Sequence, residues 1–276
     1  ADSVPAGPVH EALATGHYLS DDPYVDLAPT TWFNRQLYVP DMAIGRLVET
    51  KAEILGAVDA YLDPDGNPMT TDVGTVNPQR VYATGYDFMA DGARDTALAG
   101  RTSFTEVAST TPPPVDTARV NGTWTGAQVV GTGGVGGDLR ADDDDLIALF
   151  GHYDHDRALS ASGYANGTTD GFSPAEVAAA LPGGTRLVLT MGCHSGLSVP
   201  GSGGNADDFA QAVVGTGAAY VGITAYGYGT EGADALHERL MTQFAELLGN
   251  EYTIGESFAL AKQRYSGSSG LHGPYD

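Results

Sequence analysis

Two short runs constrain what this chain can fold into more than anything else in it. Residues 145–151 (DLIALFG) and 185–191 (TRLVLTM) are built around consecutive apolar residues, are too short for typical helices, and lack the alternation of a strand with one face in water. Such runs read as strands buried on both faces, which belong to parallel sheets sandwiched between helices. The rest of the second half follows suit. A helix starts at Ser173-Pro174-Ala175-Glu176, with serine as N-cap and proline at the first helical position. A helix over 205–214, a strand over 218–225 and long helices over 233–248 and 254–265 complete the alternation.

The first half is less regular. A short strand is expected over 17–22, then a loop from Pro23 to Pro40 and a helix over 49–62 that stops at DPDGNP. A strand is expected over 80–87, with a helix beginning in the following FMADGARDTALAG. Residues 100–140, rich in Thr, Gly and Pro, read as strand edges and loops. The fold class is therefore α/β, with a mostly parallel sheet and helices on both faces. No repeat and no long linker divide the chain.

Composition narrows the function. The 13 Lys and Arg face 35 Asp and Glu, a net charge of −22, which would repel phosphate backbones and excludes nucleic acid as an expected partner. Lys51 and Lys262 are the only lysines. An acidic surface poor in lysine suits a salty or calcium-rich setting, where counterions screen self-repulsion, though a GC-rich genome would leave the same trace. No stretch approaches the ~18 apolar residues of a membrane helix. The opening residues ADSVPAGPVH carry neither the basic nor the apolar region of a secretion signal, which leaves room for one removed ahead of this numbering.

In open parallel sheets the chemistry gathers where the strands end at their carboxyl edge. DLIALFG runs into His152, and TRLVLTMG runs into Cys193, the single cysteine. The segment between them is long enough for one helical crossover, so the two side chains emerge together if the strands are neighbours. A thiolate beside an imidazole is the working pair of cysteine hydrolases. Free cysteines are more often small buried core residues, but this one follows its strand into glycines and polar residues, where packing does not call for it. His155 and His194 compete with His152 as the base; His194, next to Cys193, is expected to point the other way.

Other patterns carry less. GCHSG puts its serine one place too late for a serine-hydrolase elbow. GTGGVGG lacks the strand-turn-helix setting of a dinucleotide loop. His152, Asp154, His155 and Asp156 are candidate metal ligands without the helical frame of a zinc peptidase. DPDGN at 63–67 and Asp142 to Asp145 are candidate ligands for structural calcium that lack an EF-hand's spacing.

An apolar strand ending in Gly-His, a helix, and an apolar strand ending in Gly-Cys resemble the caspase-like cysteine peptidases, and the gingipain family within them. HYLSDDPYVDL followed by DMAIGRLVET, then VYATGYDF, LFGHYDH, LTMGCHSG and AAYVGITAYGYG, resemble gingipain segments in the same order, over residues 17–265. The resemblance implies a caspase-like three-layer catalytic domain over 17–276 behind an N-terminal extension over 1–16. It implies an endopeptidase, extracellular or at the cell surface, acting on protein or peptide substrates with no cofactor in the chemical step. Cys193 is then the nucleophile and His152 the general acid/base, with the backbone N–H groups of Cys193 and Tyr153 holding the oxyanion. The family usually has His-Gly where this chain has His152-Tyr153, a departure that also fits an inactive relative serving as a binding module of a larger surface protein. Asp87 resembles the acid of a pocket for basic side chains, with Tyr226 and Tyr228 along its wall; all three also fit ordinary loop roles. Another amide or ester remains an alternative substrate.

Overall fold

The computed structural model describes residues 20–32, 35–47, 50–62, 76, 78, 80–102, 116–120, 122–131, 137–141, 144–181, 187–198, 207–248, 250 and 252–268. In chain order its strands are β1 (Thr30–Trp32), β2 (Arg35–Leu37), β3 (Val81–Gly85), β4 (Asp116–Val120) and β5 (Leu146–Phe150). They continue with β6 (Tyr153–Asp154), β7 (Arg157–Leu159), β8 (Gly171–Phe172), β9 (Leu187–Met191) and β10 (Ala219–Val221). The helices are α1 (Lys51–Tyr61), α2 (Ala90–Thr102), α3 (Gly126–Val130), α4 (Asp138–Ala141) and α5 (Ala161–Asn166). After these come α6 (Pro174–Ala180), α7 (Phe209–Val214), α8 (Leu236–Leu247) and α9 (Ile254–Ser268).

The apolar runs form the middle of a five-stranded sheet, ordered β10-β9-β5-β3-β4, in which every pairing is parallel. Leu146–Phe150, Leu187–Met191 and Val81–Gly85 are buried at every position, as strands covered on both faces must be. The β5–β9 register runs from Leu146↔Leu187 to Phe150↔Met191, so the two strands end level. Helices α2, α8 and α9 pack together as one group, and α3, α4, α6 and α7 as another, giving the expected layers on the two faces.

Side-chain caps explain several helix boundaries. Thr50, Ser173 and Asp208 each cap a helix and are capped in return by Glu53, Glu176 and Gln211, so α1, α6 and α7 begin one residue later. This places the start of α7 after the position the sequence predicts; residues 205 and 206 lie outside the described residues. Where the sequence predicts a strand over 17–22, residues 17–19 lie outside the described residues and Asp22–Tyr24 form a 3-10 turn. Pro23 accounts for it: a fixed φ and no N–H suit a turn better than a ladder. The expected loop from Pro23 to Pro40 contains the β1–β2 hairpin.

Between β5 and β9 the chain is more elaborate than a helix with loops. It inserts a three-stranded antiparallel sheet, β6-β7-β8, and α5 before reaching α6. Within 100–140, read from the sequence as strand edges and loops, α3 and α4 are short helices, and Thr125 with Gln128 makes another reciprocal cap. Most of GTGGVGG and all of DPDGN lie outside the described residues. Of the run Asp142 to Asp145, the last two are described: Asp144 faces Arg80 at 3.9 Å, and Asp145 accepts from the Arg80 N–H at 3.1 Å.

The strand expected over 218–225 ends as a ladder at Val221, because the chain beyond it pairs elsewhere. The C=O groups of Ile223 and Ala225 accept from Gly196 and His194, at 2.9 and 2.7 Å. The next turn, closed by the Thr230 hydroxyl donating to the Ala233 C=O at 2.9 Å, delays α8 to Leu236. Glu238 anchors this turn from below. Fully buried in the first turn of α8, it accepts from the Thr230 N–H at 2.8 Å, while its Oε1 has no hydrogen-bond partner among the described residues. Burial raises its pKa from 4.5 to about 7, with Asp234 and Asp91 adding to the push against the Thr230 hydrogen bond.

A carboxyl group that binds its proton more tightly in the folded chain favours folding at low pH, and that advantage is lost as pH rises from about 4.5 to about 7. At 1.36 kcal/mol per pKa unit the loss is about 3 kcal/mol. Glu238→Gln keeps an acceptor for Thr230 and removes the titration. Urea unfolding at pH 4.5 and pH 8 is expected to show the stability difference moving in favour of the variant by about that amount. Parallel pH dependences would show that Glu238 ionises normally.

Candidate active site

Numbered along the chain, the sheet order is one in which the first strand, β3, is flanked by the second and third, β4 and β5. The connections therefore leave in opposite directions at the β3/β5 boundary, where such sheets open a crevice at their carboxyl edge. His152 lies two residues beyond Phe150 at this boundary. Cys193 lies two residues beyond Met191, the residue paired with Phe150. Equal offsets from a level pair bring both residues to the same sheet edge, on adjacent strands, and the neighbour relation expected from the sequence is met.

Cys193 sits half-buried in a tight turn. The Ser195 hydroxyl donates to the Gly192 C=O at 3.0 Å and accepts from the Ile223 N–H at 3.2 Å. Tyr220 donates its hydroxyl to the Ser195 C=O at 2.5 Å. With the two backbone bonds from His194 and Gly196, these contacts fasten the cysteine turn to the chain beyond β10. The two strips come so close that a Cβ on Gly196 would lie 2.4 Å from the backbone of Gly222. Cys193 Sγ lies 3.9 Å from the Gly227 C=O, which puts the Tyr226–Tyr228 segment beside the thiol.

The three histidines near the site have different fates. His194 is fully buried with a left-handed φ of 58°; its Nδ1 lies 3.5 Å from the Thr224 C=O and its ring meets Tyr226 edge-on at 4.8 Å. His155 lies in the β6–β7 turn with Nδ1 3.0 Å from Asp154, and that hydrogen bond raises its pKa, with Asp156 and Asp208 contributing. His152 is exposed, and its pKa is lowered from 6.5 by desolvation. It packs against Tyr164, Tyr86 and Phe88, at 4.6, 5.3 and 6.1 Å between ring centroids. No hydrogen bond is made by either of its ring nitrogens among the described residues.

Tyr153 departs from glycine without backbone strain. It forms part of β6, and the non-glycine residues with positive φ among those described are His194 and Leu236. Its ring turns inward, edge-on to Phe209 at 5.2 Å and to Phe172 at 6.3 Å. There it occupies the space beside Gly192, where a Cβ would come within 2.3 Å of the ring. The glycine before the cysteine is thus matched to the tyrosine after the histidine.

Asp87 opens the 3-10 turn Asp87–Met89 after β3, across β5 from the cysteine strand. It is exposed and accepts from the Gly122 N–H at 2.7 Å, which ties down the loop after β4. Tyr226 packs on His194, and Tyr228, 58% exposed, stacks on His237 at 6.1 Å. Among the described residues, Asp154, His155 and Asp156 are the three-residue group whose ligand atoms lie within 4.8 Å of one another; His152 is not part of it. In the GYDF segment the residues that reach the histidine are the neighbours of Asp87. Tyr86 and Phe88 line the histidine's flank with Tyr164, and the signal was available in two aromatics placed at a strand end.

A family model described as Peptidase family C25 matches residues 2–273 of the 276-residue chain. No match was found among the curated proteins or the solved structures. The family match covers nearly the whole chain, the parallel sheet has the layered architecture of a caspase-like peptidase, and no described helix is long and apolar enough to cross a membrane. The chain belongs to peptidase family C25, the gingipain family, and is at family level a cysteine peptidase acting on protein or peptide substrates.

Proposed function

We propose that this peptidase is an endopeptidase working through a Cys193–His152 dyad. The supporting observation is the level ending of β5 and β9, which sends both residues to one edge from adjacent strands. His152 takes the thiol proton, and the sulfur attacks the scissile carbonyl. The oxyanion is held by the N–H groups of Cys193 and Tyr153. Tyr153 faces Ala158 next to the closing pair Asp154↔Arg157, and the following hydrogen bond joins Leu159 N–H to the His152 C=O. That alternation leaves the Tyr153 N–H outside the β6–β7 ladder. As the tetrahedral intermediate collapses, His152 returns its proton to the leaving amine, and water then cleaves the thioester through the same histidine.

Desolvation lowers the His152 pKa and so favours the neutral form, which is the one able to accept a proton. The other two histidines lack that combination of access and neutrality: His194 is buried, and the His155 ring is bound to Asp154. For the substrate we assign a preference for a basic residue before the scissile bond. Asp87 supplies the negative charge, and Tyr226 and Tyr228 form a wall on the strip beside Cys193. The net charge of −22 suits a basic substrate and an extracellular or cell-surface setting where salt screens the protein's self-repulsion.

Cys193→Ala and His152→Ala are each expected to cut kcat for a cleavable peptide by about 10⁴-fold or more with little change in Tm. Hydrolysis surviving in Cys193→Ala would overturn the nucleophile, and loss in His155→Ala alone would overturn the base. Asp87→Asn addresses specificity separately. On peptides with arginine or lysine before the scissile bond kcat/KM is expected to fall about tenfold, with neutral peptides unaffected. An equal fall for all peptides would make Asp87 only the tether of the Gly122 loop.

A further inference from the structure

We propose that Tyr86 is the positioning residue for His152, acting as a hydroxyl wedge in the hairpin that carries the histidine and as a buttress for its ring. The proposal rests on His152 being the acid/base of the dyad. Its starting point is the pattern of hydrogen bonds between His152 and Leu159. Beyond the pairs Asp154↔Arg157 and Tyr153↔Ala158, these two residues occupy a position where an antiparallel ladder makes two reciprocal hydrogen bonds. One is present: the Leu159 N–H donates to the His152 C=O at 2.9 Å.

The other is replaced. The His152 N–H donates at 3.1 Å to the Tyr86 hydroxyl, which itself donates to the Leu159 C=O at 2.7 Å. The phenol thus stands between two backbone groups that would otherwise meet, and it satisfies both. It holds the hairpin open at its histidine end and ties that end to β3, since Tyr86 directly follows Gly85. Tyr86 is 1% exposed, and burial pushes its pKa well above the usual phenol range, so the hydroxyl keeps its proton and continues to donate.

The same side chain supports the imidazole. Its ring lies 5.3 Å from His152 and stacks on Tyr164 at 5.2 Å with 4° between planes, while Tyr164 is 4.6 Å from His152. Many catalytic histidines are oriented by a carboxylate on the second ring nitrogen. No carboxylate bonds His152 among the described residues, and the orienting contacts are these rings. The Tyr86 ring follows directly from β3, which pairs with β5 on the side opposite the strand that carries Cys193.

Tyr86→Phe keeps the ring and deletes the wedge. Steady-state kinetics on a cleavable peptide are expected to show kcat falling about 10- to 100-fold with KM nearly unchanged. NMR titration of His152, in the Cys193→Ala background, should show its pKa moving upward toward 6.5 as the hairpin closes and the ring shifts. Should Tyr86→Phe fail to fold, Tyr164→Leu removes the stacked partner at a position 50% exposed, and the same two readouts are expected to move in the same directions. Unchanged kcat and an unchanged His152 titration would overturn the proposal while leaving the dyad standing, provided His152→Ala is inactive. Full activity in His152→Ala would overturn the dyad and the proposal together. A loss of Tm with no movement in the titration would reduce Tyr86 to a packing residue and equally overturn it.

Discussion

The structure depends on the pairing of β5 with β9. Each strand is buried on both faces, so its side chains are held by the core from either side and its backbone by the ladder. A one-residue slip would reverse which side chains face which helix layer. It would also end the strands unevenly and carry the histidine or the cysteine away from the other. The register that packs the core therefore also sets the geometry at the carboxyl edge.

Beyond that edge the ladder stops, and other contacts must position each residue. The cysteine turn is tied by backbone bonds to the chain beyond β10, through an approach that Gly196 and Gly222 permit because neither carries a Cβ. The histidine is held in the opposite direction, through the β6–β7 hairpin and the Tyr86 hydroxyl, to the end of β3. Gly192 and Tyr153 connect the two halves, since the ring of one occupies the space that the other leaves empty. Placing a larger residue at 192 or a smaller one at 153 would disturb both supports through the same contact.

The parts legible in the sequence were those set by local pattern. Buried strands appear as predominantly apolar runs, and Ser173-Pro174 with Glu176 spells out a helix start, so β5, β9 and α6 could be read directly. The order of the His and Cys strands made their adjacency a reasonable expectation. What could not be read depends on contacts far apart in the chain. Nothing near Ile223 says that it will bond Gly196 instead of extending β10, and nothing near Tyr86 says that its hydroxyl will enter a hairpin 66 residues later. The tyrosine that follows His152, where the family usually has glycine, is likewise explained only by a distant contact. At Tyr153 the φ is ordinary and a cavity beside Gly192 receives the ring, a relation visible only once the two strands are paired.

In a chain with net charge −22, what lies beside a histidine decides which way its pKa moves. Carboxylates raise a histidine's pKa, and His155, beside Asp154 and near Asp156 and Asp208, shows this effect. His152 lies only three residues away and shifts in the opposite direction. The difference follows from what surrounds each ring: one meets carboxylates at the hairpin turn, whereas the other is flanked by Tyr86, Phe88 and Tyr164. Aromatic faces desolvate the imidazole and occupy the space from which an acid could stabilise its cation. Divergent shifts in neighbouring groups are a mark of sites that handle protons. Here the aromatic flank sets the His152 imidazole apart from the carboxylates that surround its neighbour.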